Sequence, residues 1–545
     1  MMKFKYYIVS IAFTILFLSN IIAQKNGKNL VSSATPEATK AGALIFDKGG
    51  NAVDAAVAVA FALGVTEPAM SGIGGRTMLI LSIPNREPVA IGGISLTPSV
   101  LQKDITKDSL TYYKQVSIPS QVKILNYIWK KYGSGKLKWE ELLEPAINYA
   151  ENGFENGVHR HHVFKRNQNK LKSGIYHNRE LLIDDEIPAI GDLVKQPTLA
   201  KTLNRLATHG AGDFYKGEIA KIITEDFKTN GGWISYDDLS NFPDPIEQKP
   251  LHITYRGCDV YSFIPPGGGW QVLQVLNLLE QTDSKMISKY NQNRMNILIN
   301  AINLSHNDRL DNAIVDYQNY QGEIKKKLSR EYTKKLLKQP AVNRVKDENT
   351  QKGQGETTHF SVVDKDGMAL SVTSSIGSYF GSSTSTKSLG FFYNSYLKSL
   401  MGFGLGKSLE PNTTIPSSMS PSLVKKDGKN MLVIGTPGSK RIVSTTAQLI
   451  QLWIDSDMSI KEIIKYPRVH AIKNKVYLED DTLDSKIIQE IRNKGYKITF
   501  PNYDLTKSGL NAYFGGVHAI EFKNGQWKAA ADPRRDGEIN KLDIN

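Results

Sequence analysis

Hydrophobic positions fall in blocks whose spacing changes along the chain. The first is a mostly apolar run from Tyr6 to Leu18, preceded by Lys3 and Lys5 and followed by Ala23. About a dozen apolar residues fall short of the roughly 20 that span a bilayer. A basic start, an apolar stretch and a small residue instead mark an export signal over residues 1–23. An uncleaved anchor is the alternative; otherwise the rest is expected to be soluble and periplasmic or secreted. Pro36 to Phe46 then reads as a helix stopped by Gly49 and Gly50. Asn51 caps a second helix, Ala52 to Gly64, whose Ala and Val residues lie almost all round and predict burial. Met78 to Ile83 is a strand, and Leu137 to Asn152 and Gln196 to Ala207 are helical. Trp233 to Leu239 reads as an edge with a capped turn, Tyr255 to Phe263 as one alternating strand, and Gln271 to Glu280 as an apolar helix.

Between about Gln339 and Gly355 the chain turns polar, as a linker does. Alternation then sets in. Thr357 to Val363 and Met368 to Ser374 predict a hairpin about Asp364–Gly367. Pairing Val363 with Met368 puts Thr357 opposite Ser374, with Ser375 next door. Ser422 to Lys426 and Lys429 to Ile434 flank a tight Asp427–Gly428 turn. Pairing Lys426 with Lys429 sends Ser418 towards Pro437 and Gly438.

Composition narrows the classes. With 40% apolar and 22% charged residues, the chain is neither disordered nor fibrous. One cysteine, Cys258, excludes an internal disulfide and any CxxC site. The net charge of +14 is scattered and follows no nucleic-acid-binding pattern. His159, Arg160, His161 and His162 lack a carboxylate or thiol at metal spacing, so a surface loop is expected and no metal. Gly267 to Gly269 lacks the GK[ST] of a phosphate loop. No GxSxG elbow occurs. Asp308 and Arg309 read as a structural ion pair.

A Thr opening a strand after a polar linker suits one mechanism. If the preceding peptide bond breaks, the new α-amine, pKa about 7.7–8.0, can act as base for the hydroxyl of the same residue. Backbone N–H groups near Gly438 and Ser439 would then stabilise an oxyanion. A Thr-rich hairpin with no chemistry is the alternative.

The string TTHFSVVDKDGMALSVTSS, Thr357 to Ser375, resembles the small-subunit start of the γ-glutamyltranspeptidases, N-terminal-nucleophile hydrolases that cut themselves before that Thr. GGNAVDAAVAVAFALGVTEP, GGWISYDDL and YRGCDVYSFIPPGGG resemble the large subunit, and PSSMSP, GTPGSKRI and ADPR the small one. The resemblance implies an α+β fold, a four-layer αββα sandwich of the N-terminal-nucleophile type. It implies a large subunit 24–356 and a small catalytic subunit 357–545. Glu356–Thr357 would be the bond cut, Thr357 the nucleophile, Ser375 its supporting hydroxyl and Gly438–Ser439 the oxyanion pair. Ser417 and Ser418 match serines that contact the substrate carboxylate. His359 belongs to the motif as a packed residue and not as a base. No cofactor is implied; the partners are a small-molecule or peptide amide and the two subunits themselves.

The departures concern the acyl pocket. Where the family holds the glutamyl carboxylate with Arg, this chain has Ile94; Gly377 stands for an Asn, and Tyr396 and Ser399 for the pair that holds the α-amine. Arg binds a carboxylate by two parallel hydrogen bonds and Ile cannot. Arg76, in a stretch that is usually all glycine, is a candidate to replace the missing cation from elsewhere. The segment from Ser399 to Pro416 is short, which implies an open acyl pocket. Three readings follow: a γ-glutamyltransferase and glutathione hydrolase with a rebuilt pocket, an amidohydrolase with another acyl group, or a non-catalytic binding homologue.

Overall fold

The computed structural model describes residues 27–540 except 93, 103–104, 173–178, 289–291, 315, 341, 343–354, 403–408, 482, 502 and 504–508. The export signal, most of the polar linker and part of the short segment before Pro416 lie outside the described residues.

Thirteen strands make two antiparallel sheets: β1 (Leu30–Ser33), β2 (Arg76–Ser82), β3 (Val89–Gly92), β4 (Glu247–Gln248), β5 (Leu251–Tyr255), β6 (Cys258–Ser262), β7 (Gly355–Val363), β8 (Ala369–Ser378), β9 (Ser422–Lys426), β10 (Lys429–Gly435), β11 (His518–Lys523), β12 (Gln526–Ala531) and β13 (Glu538–Ile539). The first sheet runs β13-β1-β7-β8-β2-β3-β4 and the second β12-β11-β10-β9-β6-β5. The helices that matter to the site are α1 (Pro36–Asp47), α2 (Ala52–Thr66), α3 (Val158–Arg166), α4 (Gly269–Leu279), α5 (Gln292–Asp311), α6 (Tyr396–Gly402) and α7 (Arg441–Asp455).

Alternation along the strands builds the layers. Met78, Ile80, Val363 and Ala369 of the first sheet pack against Leu423, Val433 and Ile520 of the second. The other face of the first sheet, with Leu79, Leu81, Phe360 and Val362, meets α1 and α2. Val424, Leu432 and Ile434 face α4, α5 and α7. The result is the expected α+β αββα sandwich. α2 is buried on nearly every side, as its composition predicts. Asn51 caps it, accepting from the N–H of Val53 and Asp54 at 3.0 and 3.1 Å. A cap of this kind contributes about 1 kcal/mol.

Two expected elements differ. Tyr255–Phe263 is not one strand. Arg256 and Gly257 take left-handed φ of 49° and 74° and fold the segment into the β5–β6 hairpin. Trp233–Leu239 is not an edge. Ser235 accepts from the Asp238 N–H at 3.1 Å and starts a short helix, Tyr236–Ser240. Among the described residues, no helix is long and apolar enough to cross a membrane.

Candidate active site

The register of β7 and β8 decides which side chains meet. Thr357 stands opposite Ser375, and Ser375 opposite Arg76. Directly paired residues share a face, so the three form a row across strands about 4.8 Å apart. That row faces the second sheet. Ser361 and Ser371, an even number of residues from Thr357 and Ser375, donate to the carbonyls of Val433 and Ile434 at 3.5 and 3.0 Å.

The expected partner of Thr357 was Ser374. The loop is one residue longer than that pairing needs, because the Asp364 carboxylate gathers the N–H of Asp366 and of Met368, both at 3.0 Å. Val363 therefore pairs with Ala369. A one-residue slip exchanges the faces; Ser374 points the other way and hydrogen-bonds Thr77 at 2.8 Å.

Ile376 is an extra residue in β8. Gly377 pairs with Glu356, while the Ile376 N–H leaves the ladder for the Met70 carbonyl at 3.1 Å. A β-bulge thus sits across from the Glu356–Thr357 peptide, the kind of distortion that re-aims groups beside active sites. The buried Thr357 hydroxyl donates to Ser375 Oγ at 3.5 Å, and that Oγ accepts from the Gly377 N–H at 2.9 Å. The Thr357 carbonyl accepts from Arg535 at 3.1 Å, and Arg535 pairs with buried Glu67 at 3.0 Å. Glu67 lies in a quoted motif and Arg535 directly follows ADPR, yet their contact over 468 residues is not legible in the chain.

Gly377 has φ +95°, and a Cβ there would lie 2.5 Å from Ser395 Oγ. Gly377→Asn is therefore expected to destabilise the fold by about 1–3 kcal/mol without restoring a glutamyl contact. A thermal melt beside activity on γ-glutamyl anilide checks this; an unchanged midpoint would show that the position is permissive.

The second sheet brings up the other half. Ser361 lies at Val433, and His359 packs on Gly435, where an added Cβ would overlap its ring. The same two-residue step brings Thr357 level with Pro437, beside Gly438. Gly438 and Ser439 take φ of 129° and 57° and turn the chain into α7. Their N–H groups have no partner among the described residues. Burial holds the His359 imidazole neutral, well below its usual range, with Nδ1 on Thr373 at 2.9 Å. It is a packed residue, as expected.

The β9–β10 hairpin has the expected Lys426–Lys429 pairing, but a bulge at Val424/Lys425 shifts the count by one. Continued, the count sets Ser418 level with Gly438. Gly268 lets the chain pass Ser418 closely, since a Cβ would come within 2.9 Å of its backbone. Ser417 Oγ accepts from the Met419 N–H at 3.1 Å. Ser418 Oγ accepts from Arg309 at 3.0 Å. The expected Asp308–Arg309 pair is absent from the described contacts. Asp308 turns to Lys327 at 3.0 Å, while Arg309, next along α5, faces Gln271 and Ser418.

Arg76 is buried and donates to the carbonyls of Ile415 and Pro416 at 2.7 and 3.0 Å, while its Nε has no partner. Its guanidinium lies 4.1 Å over the Tyr396 ring, and the Tyr396 hydroxyl donates to the Ser375 carbonyl. Burial pushes the Arg76 guanidinium below its usual range. The β2–β3 pairing ends at Met78 with Gly92, two residues short of Arg76 on one strand and of Ile94 on the other. Ser399 is not brought in; its hydroxyl donates to the Ser395 carbonyl of its own helix at 3.3 Å.

The histidine run is not a surface loop. It lies on α3, with His159 and Arg160 buried and Arg160 paired to Glu37 at 3.0 Å. No group of three metal-ligating side chains occurs among the described residues.

Two facing antiparallel sheets between helical layers, with a hydroxyl two residues into a central strand beside an open backbone turn, define an N-terminal-nucleophile hydrolase. The chain belongs to the γ-glutamyltranspeptidase family, whose model matches residues 38–542. It is 30% identical to the glutathione hydrolase proenzyme of Escherichia coli K12 over 81% of each chain. It is 28% identical to the acylase ACY 1 proenzyme of Pseudomonas sp. V22, covering 94% of this chain and 93% of that one. Among solved structures, cephalosporin acylase from Bacillus halodurans superposes with a TM-score of 0.82 over 95% of this chain and 97% of that one, at 22% identity, which speaks for the fold.

Proposed function

We propose that the chain is an exported precursor that cuts its own Glu356–Thr357 bond into a large subunit, 24–356, and a small subunit, 357–545, and then transfers or hydrolyses acyl groups from amides. The row Thr357–Ser375–Arg76 facing the Gly438–Ser439 turn supports this reading best. The freed Thr357 amine takes the hydroxyl proton, and Oγ attacks the amide carbonyl. The oxyanion meets the N–H groups of Gly438 and Ser439, each worth about 3–4 kcal/mol. The amine product leaves with the proton, and water or another amine resolves the Thr357 ester. Ser375 holds Thr357 Oγ. Ser417, Ser418 and Arg76 face the acyl carboxylate, and Tyr396 fills the space under Arg76.

Ser375→Ala removes one hydroxyl contact on Thr357. Cleavage and turnover are expected to slow about 10-fold, one hydrogen bond's worth, with Ser375→Thr close to wild type. The half-life of the uncut chain on a gel checks this, and an unaltered half-life would remove Ser375 from the site.

A second reading is an amidohydrolase with a non-glutamyl acyl group. Ile94, the tight Gly377 and the Tyr396 ring in the acyl pocket favour it. Release of anilide from γ-glutamyl and from uncharged acyl anilides separates the two. Preference for γ-glutamyl anilide supports the first reading, preference for an uncharged acyl the second, and turnover of neither overturns both.

A further inference from the structure

On the proposed reading, cleavage makes Thr357 a chain terminus, and termini fray unless something ties them down. β1 pairs with β7 from Val363 to Ser361 and does not reach Thr357. Arg535 stands there instead. It donates to the Thr357 carbonyl at 3.1 Å and pairs with buried Glu67 at 3.0 Å. Gly516 leaves room for its stem, since a Cβ there would come 2.5 Å from Arg535 Cδ. In an antiparallel strand the N–H and C=O of one residue leave on the same side. The Thr357 nitrogen therefore points to the side where the guanidinium stands, and after the cut that nitrogen is the amine that takes the hydroxyl proton.

The other titratable groups around this point are neutral or engaged elsewhere. His159 on α3, His359 on β7 and His518 on β11 are held neutral by burial. Arg160 on α3 pairs with Glu37 and Asp536 at 3.0 and 3.5 Å. Arg76 on β2 turns its guanidinium to Ile415 and Pro416. At the start of α7, Arg441 covers the Tyr513 ring at 4.1 Å, and Lys440 is in the field of Arg309 and Lys473. Burial raises the Glu67 carboxyl, and Arg535 acts against that rise.

We propose that Arg535 is a positioning residue of the cut enzyme: it anchors the new N-terminus by the Thr357 carbonyl and, by its charge, keeps the α-amine as the free base, with Glu67 as counter-charge. This deepens the acyl-transfer reading and rests on it. The Oγ–H bond breaks as the amine lone pair takes the proton, and an ammonium has no lone pair to offer. A cation beside the amine disfavours the ammonium. The amine therefore titrates below the about 7.7–8.0 of an ordinary terminus, and more of the enzyme is competent at neutral pH. Glu67 limits that effect and fixes where the guanidinium stands.

The test is the pH profile of kcat/KM on γ-glutamyl and uncharged acyl 4-nitroanilides, read on the one that the wild type turns over. The acid limb reports the base of the free enzyme. Arg535→Met is expected to move that limb up by about one pH unit and to lower the plateau about 10-fold, through loss of a charged hydrogen bond. Arg535→Lys should lower the plateau and leave the limb in place. Glu67→Gln keeps an oxygen for Arg535 and removes the counter-charge, so it should move the limb down. A merely structural contact would lower the plateau in all three and leave every limb on that of the wild type, a result that overturns the proposal. If Arg535→Met stays uncut, the other two variants carry the test: a downward shift in Glu67→Gln with none in Arg535→Lys supports the proposal, and coincident limbs overturn it. If the wild type releases amine from neither anilide, the acyl-transfer reading itself fails, which is distinct from release with a limb indifferent to Arg535.

Discussion

Thr357→Ala is expected to leave a single uncut chain and to lower amide turnover by about 10⁴-fold or more, the scale on which nucleophile removal acts. Both effects come from one hydroxyl. In the continuous chain it faces Ser375 Oγ at 3.5 Å, and the β8 bulge pulls the Ile376 N–H out of register opposite the bond to be cut. The carbonyl of Thr357 is fixed by Arg535, itself held by Glu67. The strand cannot swing away to find another nucleophile. Intact mass spectrometry of wild type beside Thr357→Ala reads the first effect, and anilide release reads the second. Thr357→Ser should be cut more slowly and retain activity. Two fragments from Thr357→Ala would place the nucleophile elsewhere. One chain from the wild type would leave the fold without its chemistry and favour a binding role.

Much of this is legible in the sequence. The two hairpins, the buried α2 and the order of motifs are local patterns, and a local pattern carries its own register. Where the reading slipped, a distant or side-chain contact decided. Asp364 collects two backbone N–H groups and lengthens one loop, which moves Ser375 and not Ser374 onto the face of Thr357. Arg256 and Gly257 divide an alternating run by a turn that alternation cannot display. Asp308 and Arg309, adjacent on α5, point about 100° apart round the helix axis and find different partners. Arg535 and Glu67 meet only because β7 lies inside a closed sandwich.

Substitution of Arg76 tests the remaining question, which acyl groups enter. Arg76→Met is expected to lower kcat/KM for γ-glutamyl anilide about 100-fold or more, in the range for removing one partner of a desolvated charge pair. An uncharged acyl anilide should lose about 10-fold or less. The two numbers differ because Arg76 has two roles. It ties the carbonyls of Ile415 and Pro416, which lead into Ser417 and Ser418, and that role serves every substrate. Its positive charge, with Nε unpartnered and Tyr396 beneath, would on the proposed reading act only on an acyl carboxylate. Arg76→Lys keeps the charge and loses the planar fork that holds two carbonyls, so it should keep the ratio between the substrates while lowering both. A uniform loss with Arg76→Met would make Arg76 a strut for the Ser417 loop and leave the acyl pocket neutral. The amidohydrolase reading would then hold, since the cation absent at Ile94 would have no substitute on the neighbouring strand.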